Sequence, residues 1–201
     1  RDMEIRGVGN MLGHNQSGHI ASVGFDLYCK LVEDMVKDIR GKKSDPRIET
    51  ELDLMIKGFI PKDYVPDLNQ RLDFYRRIQM ASEYEESQAV ARELEDRYGP
   101  YPEAVAKLLA LLKIRMLCQK IHISKIELKH NDAYLHLLPS TVINPQILTS
   151  LFDERLSMQS EYKIKIRMDR KGWKTDLKLI GSYLQRLANS LLPVGEKSDN
   201  E

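Results

Sequence analysis

Apolar residues recur along this chain at two spacings, and the change from one to the other divides it. From Ser17 to Arg40, Ile20, Val23, Phe25, Leu27, Leu31, Val32, Met35 and Ile39 fall near helical spacing, with Glu33, Asp34, Lys37 and Asp38 opposite. This predicts a long amphipathic helix, ended by Gly41. The polar run 41–47, with its Asp45-Pro46 step, is the predicted domain boundary. Glu49 to Ile56 alternates, Leu52, Leu54 and Ile56 against Glu51, Asp53 and Met55, which predicts a strand. Gly58 to Pro66 is an ordered connector whose Phe59, Ile60, Tyr64 and Val65 pack. Asp67 with Gln70 has the spacing of a capping box, and a helix follows to about Ala81. Ser82 with Glu85 repeats the device for a second helix, stopped at Gly99-Pro100. Pro102 opens a third, with Val105, Leu108, Leu109, Leu112 and Met116 as its core face.

After Ser124 the period shortens to two. Ile126 and Leu128, then Leu135 and Leu137, bracket His130-Asn131-Asp132, which reads as a hairpin. Asn144-Pro145 starts a short helix running to Phe152. Tyr162 to Met168 is a further strand, and Trp173 to Leu192 a last helix striped by Ile180, Leu184, Leu187 and Leu191. Residues 194–201 form a frayed, disordered tail. The expected fold class is α+β: a glycine-rich loop and long helix over 1–44, then a compact domain over 45–201 with several helices on a small, mixed sheet.

Composition narrows the function. With 42% hydrophobic and 30% charged residues, 201 residues make an ordinary soluble protein. A net charge of +1 argues against a wholly basic nucleic-acid binder, though a local basic stripe is compatible with it. Cys29 and Cys118 lie far apart within helical patterns and read as reduced core cysteines, so a cytoplasmic location is expected. No run is apolar enough for a membrane span. The opening RDMEIR has no initiator Met and no signal-peptide texture, and is read as lying inside a longer protein.

Candidate chemistry concentrates in two places. The first stretch sets Gly7, Gly9, Gly13, Gly18 and Gly24 among charged and amide side chains. Glycine suits tight turning and close approach, and Arg6 and Gln16 offer a long cation and a long amide for a phosphate backbone or a moving joint. Neither a dinucleotide loop nor a phosphate loop is present: Gly13 stands one position late, and 41–44 lacks the upstream glycine. His14, His19, His122, His130 and His136 have no ligand-like spacing. No catalytic constellation, cofactor site or metal site is read in this chain. The second place is Lys163, Lys165 and Arg167, which share one face of their strand, extended by Arg170, Lys171, Trp173 and Lys174. An edge strand kept soluble by lysine is the favoured reading. A docking face for an acidic partner or nucleic acid is the alternative.

The segment RDMEIRGVGNMLGHNQSGHIASVGFDLY, with Arg6 in I-R-G and Gln16 in N-Q-S-G, resembles the translocation motif shared by RecG helicases and bacterial transcription-repair coupling factors. ELDLMIKGFIPKDYVPDLNQRLDFYRRI and ELEDRYGPYPEAVAKLLALLKIRMLCQKIHISKIEL resemble the C-terminal domain found in the coupling-factor family and absent from RecG. The resemblance implies a parent that is an ATP-dependent double-stranded DNA translocase, displacing stalled RNA polymerase and recruiting excision repair through UvrA. ATP and Mg2+ would act in the parent motor, and this fragment would not be an enzyme itself. By resemblance, Arg6, Gly7, Gly9, Gly13, Gln16 and Gly18 couple motor movement to duplex DNA. Residues 45–201 would be an autoinhibitory domain that packs on the parent's UvrA-recruiting module, with Lys163, Lys165, Arg167 and Trp173 as candidate contacts. The competing expectation is a stand-alone nucleic-acid-binding module without a motor.

Overall fold

A computed structural model describes residues 50–81, 83–139, 141 and 145–190, with backbone alone at 145–147. The predicted helix over 17–40, the boundary at 44/45, Cys29 and the tail lie outside the described residues. The described residues form two compact units: one is Lys57–Val105, the other joins residues 50–56 to 106–190.

In the first unit, Asp67 caps helix α1 (Leu68–Met80) by accepting the Gln70 N–H at 2.8 Å. Only half of the capping box forms, because the Gln70 side chain is taken by the Tyr98 hydroxyl. Arg71, Phe74, Tyr75 and Ile78 are buried, the i, i+3, i+4, i+7 face of one helix. Helix α2 (Tyr84–Tyr98) buries Ser87, Val90, Ala91 and Leu94 on the same pattern. Its N-cap position is Glu83, which makes no side-chain cap bond, and the predicted cap Ser82 lies outside the described residues. Gly99 ends the helix at φ 80°, a left-handed conformation that costs glycine little.

Around these helices the connector packs as predicted at Ile60 and Val65, while Phe59 stays partly exposed. The Ile60 N–H donates to the Tyr75 hydroxyl at 2.7 Å. Arg71, only 8% exposed, donates to the Pro66 carbonyl at 2.8 Å and to that of Val65, tying the connector to α1. Tyr64 donates to the Leu94 and Gly99 carbonyls at 3.0 and 2.7 Å, and its ring meets Tyr98 at 5.8 Å. Across the helix pair, Arg77 binds Glu93, which also takes Arg97 at 2.8 Å. Helix α3 (Glu103–Lys120) starts in this unit, one residue after Pro102. It buries Val105, Leu108, Leu109 and Leu112 as predicted. Met116 is half-buried, and Ile114 and Cys118 are buried as well.

The second unit is a five-stranded mixed sheet with helices on one face. In spatial order the strands are β1 (Glu51–Asp53), β2 (Ile123–Lys129), β3 (Asp132–Leu137), β5 (Lys163–Arg167) and β4 (Leu156–Ser160). Strand β1 runs parallel to β2 and the other neighbours are antiparallel. The predicted hairpin forms with Ile126 opposite Leu135, turning at His130 with φ 55°. Strand β4 was not expected: LSMQS carries no β-branched residue and little alternation, and it becomes a strand by pairing with β5. That pairing corrects the favoured reading of the basic strand as a sheet edge, since β5 lies between β3 and β4.

The inward residues Leu54, Ile126, Ala133, Leu135, Leu156, Ile164 and Ile166 form one core with Ile114 and Cys118 of α3 and Leu148 of helix α4 (Pro145–Leu151). Leu177, Ile180, Tyr183, Leu184 and Leu187 of helix α5 (Trp173–Ser190) complete it. Each such aliphatic side chain removed from water contributes about 2 kcal/mol. Gly181 admits the close approach of α5 to α3: a Cβ there would stand 3.4 Å from Ile114 Cδ1. Burial drives the Cys118 thiol well above its ordinary pKa, which keeps it protonated and unreactive. No helix of the described residues is long and apolar enough to cross a membrane.

Candidate docking face

The helices of the second unit pack on one side of its sheet, so the alternate residues of every strand point to the other side. The register assembles that face. Glu51, Lys125, His136 and Lys163 lie across from one another in one row, and Asp53, Glu127, Tyr134, Lys165 and Ser157 in the next. A last row brings Lys129 opposite Asp132 and Asp132 opposite Arg167.

Glu127 organises the centre. It is 6% exposed, and its neighbours fold onto it. Lys129 Nζ reaches Oε2 at 2.8 Å, while Lys163 Nζ and His136 Nε2 each reach Oε1 at 3.0 Å. Hydrogen bonds from Lys129 and Lys163 outweigh the cost of its burial and hold the carboxyl at a pKa of about 2. Lys163 Nζ also stands 4.7 Å from the centre of the Tyr134 ring, a cation–π contact. At the β1 border Lys125 pairs with Glu51 at 2.9 Å.

The sequence candidates therefore part company. Lys163, Lys165 and Arg167 do share the outward face, as their alternation predicts. Lys163 is held by Glu127. Lys165 and Arg167 make no ion pair among the described residues. Trp173 opens α5 away from the basic row and is partly buried against the core, with Lys107 and Lys174 each 5.6 Å from its ring. Arg6, Gly7, Gly9, Gly13, Gln16 and Gly18 lie outside the described residues.

Sequence reasoning missed Glu127, Tyr134 and His136. The signal was present in the alternation Lys125, Glu127, Lys129 and in Asp132, Tyr134, His136. Only the strand register tells which of these charges meet.

A second polar cluster fixes the far edge of the sheet. Asp153 accepts from Arg186 Nη1 at 2.9 Å, from the N–H groups of Leu156 and Arg155 at 2.8 and 2.9 Å, and from the Tyr183 hydroxyl at 3.0 Å. Chiefly through Arg186, this holds its carboxyl far below the usual carboxylate range. Arg155 binds Asp169 through two nitrogens at 2.8 and 3.0 Å. These bonds join the α4–β4 turn to α5 and have the character of scaffold.

A helix-backed mixed sheet whose other face is charged, with a carboxylate held there by lysines, defines a protein of the α+β domain class. Residues 54–148 match the family described as the TRCF domain. The transcription-repair-coupling factor of Escherichia coli (strain K12) is 30% identical over 200 residues, 95% of this chain and 17% of that protein. That of Myxococcus xanthus is 47% identical over 117 residues, 57% of this chain and 10% of that protein. A crystal structure of the C-terminal domain of transcription-repair coupling factor shares the fold, with a TM-score of 0.60 at 21% identity, covering 71% of this chain and 95% of that one. The chain is thus a homologue of the bacterial transcription-repair-coupling factors. It spans about a sixth of the length of the Escherichia coli relative.

Proposed function

We propose that this chain is the carboxy-terminal part of an ATP-dependent double-stranded DNA translocase that displaces stalled RNA polymerase and recruits nucleotide excision repair through UvrA. The observation that carries the reading is the family match, which extends over 95% of the chain in the Escherichia coli relative. In this reading the chain performs no chemistry. ATP and Mg2+ act in a motor elsewhere in the parent protein, and the whole works in the cytoplasm. Residues 1–44 pass motor movement to the duplex, with Arg6, Gly7, Gly9, Gly13, Gln16 and Gly18 as the working residues. A guanidinium at position 6 can hold one geometry in each state of the motor.

Residues 45–201 act as an internal shield that covers the UvrA-recruiting module until the motor engages polymerase. A tethered domain competes well with a free partner because its effective concentration is high. The outward face of β5 and helix α5 are the candidate surfaces for that contact. A stand-alone nucleic-acid module fits less well, because Asp53, Glu127 and Asp132 are interleaved with the cations that would have to follow a phosphate backbone. The test removes Asp45–Glu201 from the full-length parent and measures affinity for UvrA. The shield reading expects tighter UvrA binding and more DNA bound at rest. Unchanged affinity for both would leave the domain a merely structural part.

A further inference from the structure

The outward sheet face is not evenly charged. On β2, β3 and β5 it carries Lys125, Lys129, Lys163, Lys165 and Arg167 against Glu127 and Asp132, while β1 carries Glu51 and Asp53. Glu127 and Glu51 are already satisfied by lysines. The cations with no ion pair among the described residues, Lys165 and Arg167, stand side by side on β5. Between Lys165 and Glu127 lies the half-buried ring of Tyr134, fixed by the Lys163 ammonium above it.

We infer that this face is a docking site for an acidic segment of another protein, two carboxylates taking Lys165 and Arg167 along β5 while a side chain of the segment packs on Tyr134 beside Lys165. Same-face residues of a strand repeat at about 7 Å, so Lys165 and Arg167 match carboxylates set two apart in an extended segment. The cation-bearing strands β2 and β5 stand two strand spacings apart, about 10 Å, which suits a single polypeptide. Phosphate chemistry fits less well. A uniformly negative polymer following β5 carries charge at every step and onto the neighbouring strands, where Asp132 and Glu127 repel it. The inference goes beyond the shield reading, since it holds for whichever protein supplies the segment.

The test titrates the full 201-residue chain, labelled with 15N, with a short peptide of alternating glutamate and serine. A lysine–serine peptide and a single-stranded oligonucleotide of equal charge serve as comparisons. Saturable shifts confined to Tyr134, Lys165, Arg167 and their neighbours are expected with the glutamate peptide. Lys165→Glu with Arg167→Glu is expected to weaken that binding at least about tenfold and to admit the lysine peptide instead. Should charge reversal disturb the fold, Lys165→Gln with Arg167→Gln, read by the same spectrum, decides in its place. Dispersed or absent shifts would overturn the proposal, as would affinity unmoved by the substitutions. Tighter oligonucleotide binding lost in the same variants would assign the face to nucleic acid and overturn it equally.

Discussion

Glu127 shows how one residue can hold an open sheet face in order. Its carboxyl is lowered to about 2 by Lys129, Lys163 and His136, so the folded state holds the charged form more firmly than the unfolded chain does, where the value is 4.5. The stability it contributes is present in full above about pH 4.5 and is lost as pH falls from there through about 2. Glu127→Gln is expected to lower stability at neutral pH by about 1–2 kcal/mol, since three cationic or polar groups lose a shared acceptor. Urea unfolding at a series of pH values checks both points: the variant should lose less stability than the parent chain between pH 4.5 and 2. Asp153 titrates in the same direction and keeps part of that slope in the variant. Nothing in the residue type Glu marks position 127 as central. A glutamate alternating with lysines on a strand is usually a solvated side chain, and its three partners here arrive from β2, β3 and β5.

At the scale of elements, local rules carried most of the boundaries. Asp67 and Gly99 are start and stop signals with a mechanism, and the structure uses both. Asp67→Ala is expected to cost about 1 kcal/mol, measured as a lower urea midpoint with unchanged slope, because the Gln70 N–H loses its acceptor. Hairpin β2–β3 was legible because alternation and a turn signal coincide. Strand β4 was not, because five residues with two serines and a glutamine have no period of their own and become a strand by pairing. Helix α3 shows the opposite difficulty. Its predicted face is buried at Val105, Leu108, Leu109 and Leu112, yet Ile114 and Cys118 join the core of the second unit, so one helix buries more than one side. A periodicity argument that looks for one apolar stripe sees only the first.

For the whole molecule, the prediction concerns residues 1–44. Arg6→Ala or Gln16→Ala in the full-length parent is expected to leave ATP hydrolysis standing while stalled RNA polymerase is no longer displaced. Assays of both on the same preparation separate an uncoupled motor from an unfolded one, and normal displacement by both variants would remove the translocation role. The family resemblance was legible from segments such as ELDLMIKGFIPKDYVPDLNQRLDFYRRI, because order and spacing of many residues act together there. By itself the sequence determined the helices of the first described unit, the hairpin, the α+β class and the shared face of Lys163, Lys165 and Arg167. Those properties follow from backbone geometry, which repeats over a few residues and is written locally. Only the tertiary structure decided that β5 lies inside the sheet, that Lys163 is engaged by a carboxylate 36 residues away, and that Lys165 and Arg167 make no ion pair among the described residues. Strand order and pair register are settled by how the apolar faces of distant segments fit over one core, and no local pattern encodes that fit.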